Sequence, residues 1–246
     1  MSGGGTGTAC VEEHHCRYGR RRIQAGLRER YGLRASHKRL AKLPRKYGLN
    51  ARGRRKFIPA ADSGRRLAVC ENLLNRDFHA AGPGEKRVAG SACLRAAGGR
   101  PYLTAALDLY DRKITGRAFG GTTGAEETAA GALETAVGNR KPRPSPLFHS
   151  GRGGTVLPSP VPGNLEGRRH QARQSVSRKG NCRDNARAER FFRTLQRELE
   201  ILDGRQPAAA VRASVFQYIG AYRNRIRRHS ALDCLGPVMV TLKKVA

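Results

Sequence analysis

Between residues 86 and 149 the hydrophobic pattern changes its period twice, and this constrains the fold more than any other property of the chain. Three short apolar runs come first, KRVAGSACL (86–94), PYLTAALDL (101–109) and KITGRAF (113–119), separated by Gly-rich and charged turns. Runs of this length bounded by turn residues read as strands, and their close succession predicts a meander. The Ala-rich segment 124–137 then carries acids in its first turn and reads as a helix, and PLFH (146–149) reads as a short buried strand. Such an order describes an α/β domain, a mixed sheet flanked by helices.

Further on, 177–199 predicts an amphipathic helix in which Ala188, Phe192, Leu195 and Leu199 form the buried face, flanked by Phe191 and Leu202. Asn181 or Asp184 is placed to cap it. Its polar face carries Glu189 among Arg190, Arg193, Gln196 and Arg197. A second amphipathic segment, 208–226, puts Val211, Val215, Ile219 and Tyr222 on one face. In 152–170 the alternating Pro158, Pro160 and Pro162 exclude a regular helix.

The N-terminal text is of another kind. Residues 1–16 have no periodic apolar pattern and are expected to be a disordered tail. Two short basic helical patterns follow, 23–30 and 36–47, with a turn at Gly32 and Ser36 as an N-cap, while Pro44 predicts a kink or break in the second. Two basic helices joined by a tight turn suggest a helix-turn-helix-like module whose Arg21, Arg22, His37, Lys38 and Arg39 face DNA phosphates. The expected organisation is a tail (1–16), this module (17–50), a basic linker (51–80) and an α/β core (81–240). With 48 Lys and Arg against 19 Asp and Glu, the net charge of +29 calls for a polyanionic partner.

Six cysteines are scattered without a CxxC pair, which indicates neither a disulfide framework nor a closed zinc site, even where His14 and His15 lie between Cys10 and Cys16. No apolar run reaches the length needed to cross a bilayer, so an intracellular, cytoplasmic protein without membrane contact is expected.

Several strings resemble one family. SRKGNCRDNARAERFF (177–192) resembles the signature around the third catalytic carboxylate of integrase-core transposases of bacterial insertion sequences, which share the retroviral integrase fold. YGRRRI and HKRL resemble the segment before that core, NLLNRDF (72–78) its entry, and RNRIRRHSAL (223–232) its terminal motif. The resemblance implies a ribonuclease H-like core in which three carboxylates hold divalent metal, Mg2+ or Mn2+, for DNA strand transfer. It also implies a homo-oligomer on element and target DNA in the bacterial cytoplasm. DNA contacts are implied at Lys179, Asn181, Asn185, Arg223, Asn224, Arg227 and Arg228.

On this pattern Glu189 is the third acid and a metal ligand, whereas Gly90 and Gly151 stand where the first two acids belong. Neither Asp108, Asp111 nor Asp184 falls at a replacing position. Arg87 and Arg183 replace Trp of the pattern, and Cys93 replaces Tyr. Each of these five departures is reachable by a single A·T to G·C transition, as in a decaying element copy. The implied function is a DNA transposition protein with impaired strand transfer; the other reading is an inert remnant that binds DNA or inhibits an intact transposase.

Overall fold

The computed structural model describes residues 13–14, 17–46, 70–121, 125–151, 172–199 and 204–243. The expectations for 1–12, for Leu202 and for the proline-rich 152–170 lie outside the described residues, as do Cys10 and Cys16. The chain divides into two compact units, Met1–Phe57 with Arg228–Gly236, and Ile58–Arg227 with Pro237–Ala246.

In the first unit, helix α1 (Arg20–Tyr31) buries Ile23, Gly26 and Leu27. It ends at Gly32, whose positive φ of 64° lets its N–H turn back to the Leu27 carbonyl. Ser36 begins helix α2 (His37–Lys46) as the sequence suggests, its hydroxyl accepting from Arg39 N–H at 3.2 Å. The expected break at Pro44 does not occur, and the helix runs on to Lys46. A proline in the last turn forfeits only one intrahelical bond, near an end that frays in any case. Residues 228–236 belong to this unit. Tyr18, 1 % exposed, accepts the Arg228 N–H on its hydroxyl at 2.9 Å, and the Arg228 guanidinium pairs with Glu29.

The second unit is built on a five-stranded sheet: β1 (Lys86–Cys93), β2 (Tyr102–Asp108), β3 (Ile114–Gly120), β4 (Leu147–Ser150) and β5 (Arg173–Val176), in the order β3-β2-β1-β4-β5. The first three form the expected antiparallel meander, while β4 and β5 add parallel strands, so the sheet is mixed. Alternation along β2 sends Leu103, Ala105 and Leu107 to one face and Ala106 to the other. Helix α3 (Ala125–Asn139) covers the Ala106 face with Ala129, Leu133 and Ala136. It lies so close that a Cβ on Gly116 of β3 would stand 1.9 Å from the Ala132 carbonyl oxygen, which makes glycine obligatory there.

The opposite face carries helix α4 (Ala186–Glu198), helix α5 (Ala208–Gln217) and a π-helical turn, Tyr218–Arg223. Ala188, Phe191, Phe192, Leu195 and Leu199 enter the core together with Val211, Val215 and Ile219. The expected single helix over 208–226 is thus interrupted. The wider turn lets Asn224 N–H reach the Ile219 carbonyl at 3.0 Å and aims the Asn224 side chain at the sheet. Its carboxamide accepts from Ile114 N–H and donates to Ile114 C=O, both at 3.0 Å, pairing the outer edge of β3 as a further strand would. A last helix, α6 (Pro237–Lys243), follows, with Thr241 Oγ1 donating to Asp111 at 2.9 Å.

Two buried charge networks lie under these helices. Glu198 takes a fork from Arg227 (2.9 and 2.6 Å) and the Tyr218 hydroxyl (2.7 Å), and burial lifts the Tyr218 phenol above its ordinary range. Arg140 binds Asp108 at 2.9 Å and Asp111 at 2.7 Å. Beside it Arg87, 1 % exposed, donates Nη2 to the Arg140 carbonyl at 2.6 Å and lies over the Phe148 ring. Its Nε and Nη1 have no hydrogen-bond partner. Part of the expected linker also belongs to this unit, since Leu74 is buried and its N–H donates to Ser175 Oγ at 3.2 Å.

Replacing Asn224 by Ala strands both polar groups of Ile114 at the sheet edge. Asn224→Ala is expected to lose about 2 kcal/mol of stability, whereas Arg225→Ala, at an exposed neighbour, changes it by less than about 0.5 kcal/mol; urea unfolding midpoints compare the two.

Candidate active site and nucleic-acid-facing residues

The entry to α4 is fixed by one carboxylate. Asp184, in the 3-10 turn Cys182–Asn185, is fully buried. It accepts hydrogen bonds from Asn72 (2.9 Å), Arg76 (2.9 Å), and from the Arg178 backbone N–H (3.0 Å) and guanidinium (2.9 and 2.8 Å). With this many donors on its charged form, led by Arg178, it is held well below the usual carboxylate range. Asp184 is therefore not the helix cap that the sequence suggests; it ties residues 72–76 and 178 to the start of the helix.

Asn185 follows immediately and is 3 % exposed. Its Nδ2 donates to the Ala89 carbonyl of β1 at 2.8 Å, and its Oδ1 has no partner. A Cβ built on Gly90 would lie 3.7 Å from this Nδ2, and one built on Gly151 would lie 3.5 Å from it. Two positions that are 61 residues apart in sequence thus border the same amide. Glu189 stands one helical turn beyond Asn185 and is half-buried; burial pushes its carboxyl up, while Arg193 one turn further pulls it down. Gly90 and Gly151 thus both face the amide at the start of α4, and Glu189 lies one turn further along that helix.

A hard divalent cation needs several anionic oxygens to displace its water, and this place offers one carboxylate. Asp108 and Asp111 are committed to Arg140, and Asp184 to its guanidinium partners. Among the described residues no group of three His, Cys, Asp or Glu is disposed to hold a metal ion. The residues present do not fit the metal pair that the resemblance implies.

Next to Gly151, His149 on β4 is wholly buried, with Nδ1 2.8 Å from Ser175 Oγ and Nε2 3.1 Å from Ser177 Oγ. Ser177 Oγ is also placed to donate to the Ser150 carbonyl at 3.3 Å, which makes Nε2 the ring donor and Nδ1 the acceptor from Ser175. Both ring nitrogens are satisfied in the neutral form. Burial lowers the His149 pKa to about 4 against the opposing pull of Asp184.

The residues expected to face DNA separate into two groups. Arg21, His37, Lys38, Arg39 and Lys179 are exposed, Arg22 is half-buried over the Tyr18 ring, and Asn181 is half-buried. By contrast Asn185, Asn224 and Arg227 are buried and spent on Ala89, Ile114 and Glu198, and Arg223 is buried over the Phe191 ring. For these four the expectation of DNA contact is corrected to a role in packing. Arg228 serves the first unit through Glu29 and the Cys234 carbonyl. Arg183 is exposed, unlike Arg87. The Asp184 clamp, the Glu198 fork and the Asn224 edge pairing went unread in the sequence, because each partner is distant along the chain and neither end carries a local signal.

Residues 8–57 match the family model of an HTH-like domain and residues 170–237 that of an integrase core domain. The chain is 36% identical over 232 residues to the transposase InsF for insertion sequence IS3A of Escherichia coli strain K12, covering 94% of this chain and 78% of that protein. It belongs to the insertion-sequence transposases. The transposase is also 33% identical to that of insertion sequence element IS904 from Lactococcus lactis, covering 93% of this chain and 89% of the other. Its fold is similar to a chain in a cryo-EM structure of the simian T-cell lymphotropic virus intasome in complex with the PP2A regulatory subunit B56 gamma. There the TM-score is 0.50 and the identity 11%, over 94% of this chain and 73% of the other. The strand order and the family matches bear out the expected ribonuclease H-like integrase core behind an HTH-like module.

The His149 pKa gives the transposase a pH-dependent stability. Because the native pKa lies below the unfolded value, the unfolded chain binds the extra proton, so stability is full above about pH 6.5 and is lost towards pH 4, at up to about 1.4 kcal/mol per pH unit. Glu189, raised in the native state, has the opposite sign above its ordinary value. Unfolding of the parent and of His149→Asn across this window should differ in slope by the histidine contribution alone. At the two glycines, among the described residues a Cβ on Gly151 meets only Asn185, whereas one on Gly90 meets Phe192 Cε2 at 3.0 Å. Gly151→Asp should leave the metal-free melting temperature within about 2 °C of the parent, and Gly90→Asp should cost about 1–3 kcal/mol through overpacking.

Proposed function

We propose that this transposase binds element DNA through the exposed bases of its HTH-like unit and that its strand transfer is impaired. The observation that carries the reading is that Gly90 and Gly151 both border the amide of Asn185, one helical turn before Glu189. These are the positions at which the family pattern has its three acids, and two of them have no carboxylate. Arg21, His37, Lys38 and Arg39 are exposed and make no ion pair among the described residues, which suits them to a phosphate backbone. Within the core unit, exposed Lys179 and half-buried Asn181 lie on the approach to α4. Divalent metal, Mg2+ or Mn2+, is the cofactor of an intact site of this kind, and Glu189 alone is its remaining ligand here. A homo-oligomer on the DNA ends is the working form this reading implies. Retained binding with lost chemistry also supports the related reading of an inert remnant that occupies element ends or inhibits an intact transposase.

The test is a pair of measurements on one end-sequence duplex. Binding should weaken steeply with salt, and substituting His37, Lys38 and Arg39 together by Gln should flatten the dependence of log K on log salt by about 2 to 3. Strand-transfer assays in Mg2+ or Mn2+ should give no joined product with the parent. Joined product that disappears in Glu189→Gln would sink the impairment reading. The double substitution Gly90→Asp with Gly151→Asp should regain a metal-dependent rise in melting temperature.

A further inference from the structure

The hairpin between β1 and β2 runs on past the strand ends as a narrow two-stranded ribbon. Cys93 pairs with Tyr102, the Leu94 N–H donates to the Pro101 carbonyl at 2.8 Å, and Ala96 bridges Gly99. Arg95 and Arg100 therefore stand opposite each other across the ribbon, and both are exposed. Like charges that face each other across two strands oppose their pairing.

Other contacts hold the ribbon in shape. Leu94 and Ala96 are buried in the core cluster and anchor its base. The Ala97 N–H donates to the Gln206 carbonyl at 2.7 Å and Ala97 bridges Pro207, which fastens the ribbon to the segment leading into α5. That segment and the first turns of α5 bring two more exposed arginines, Arg205 and Arg212. Residues 91–102 and 204–212 together hold these four arginines and no acid. At the tip Gly98 takes a φ of 75°, and among the described residues a Cβ on Gly98 or Gly99 would meet nothing within 4 Å. A two-stranded ribbon is narrow enough for the major groove of a duplex, about 12 Å wide, and the planar fork of an arginine matches a phosphate.

We propose that this ribbon is a second contact of the chain with duplex DNA, in which Arg95 and Arg100 bind backbone phosphates and Arg205 and Arg212 extend the contact. The inference rests on the DNA-binding reading above and adds to it a sequence-independent grip within the core unit. Phosphates beside the two facing arginines offset their repulsion, so the ribbon as folded is the form that binds.

The experiment measures binding of the full chain to a short duplex of arbitrary sequence across a salt series. Arg95→Gln and Arg100→Gln should each flatten the dependence of log K on log salt by about 1, and the double variant by about 2. Without DNA the double variant should melt within about 2 °C of the parent, which separates a lost contact from a lost fold. Gly99→Glu, which puts an anion into the open space at the tip, should weaken binding at low salt. Arg173→Gln, exposed on β5 at the opposite edge of the sheet, should leave the slope unchanged; an equal flattening there would mean that net charge alone is read and would overturn the proposal. If the ribbon double variant binds like the parent while joint substitution of His37, Lys38 and Arg39 by Gln flattens the slope, the ribbon is excluded and the DNA reading stands. The reverse pattern refutes contact through the HTH-like unit and leaves the ribbon standing. Tighter, ribbon-dependent binding of a single strand than of the duplex would overturn the assignment to duplex DNA.

Discussion

The fully buried carboxylate of Asp184 is the interaction on which the core unit depends. A lone ionised group there would be costly, but five donor contacts from Asn72, Arg76 and Arg178 hold it in its charged form. Hydrogen bonds to an ionised group are stronger than neutral ones, though less so where the guanidinium stands in water, as those of Arg76 and Arg178 partly do. What matters more than the sum is the geometry. The clamp sets where α4 begins, which sets Asn185 against Ala89 and between Gly90 and Gly151, one turn before Glu189.

A chain so rich in arginine has to solve a packing problem that more neutral chains do not meet. Glu198 and Arg227 do so with a bidentate pair closed by Tyr218, and Arg140 does so by spanning two aspartates. Arg87 is less well served. It occupies a position where the family pattern has an indole, keeps the aromatic neighbourhood through Phe148, and leaves two guanidinium nitrogens without partners. A buried charge with incomplete hydrogen bonding opposes folding. The cost at Arg87 agrees in kind with the proposed absence of carboxylates from positions 90 and 151.

The period of the hydrophobic residues made most of the fold legible: the meander, the Ala-rich helix and the Phe191–Phe192 face all follow from it, and Ser36 and Gly32 gave the helix ends their own chemistry. The rest was hidden for a physical reason. The strand Arg173–Val176 is four residues long with Val176 its one apolar residue, too short for alternation to register. Asn224 meets Ile114 across 110 residues, and Arg76 meets Asp184 across 108, so nothing near either residue announces the pairing. Motif resemblance gave the identities of the three acid positions, but the basic residues of the terminal motif read as surface. An arginine or asparagine looks the same in sequence whether it serves a phosphate or a buried carboxylate, and only the partner decides.

The discontinuous first unit has a consequence for how the protein is made. Tyr18 takes its hydrogen-bond donor, and Glu29 its cation, from a residue that leaves the ribosome some two hundred positions later. During synthesis the HTH-like helices must therefore wait, with the Tyr18 hydroxyl and the Glu29 carboxylate served by water, while the whole sheet is translated. The HTH-like unit is closed only after the sheet has been made, so a chain interrupted just before residue 228 carries the strands of the core but lacks the strap that closes its N-terminal helices.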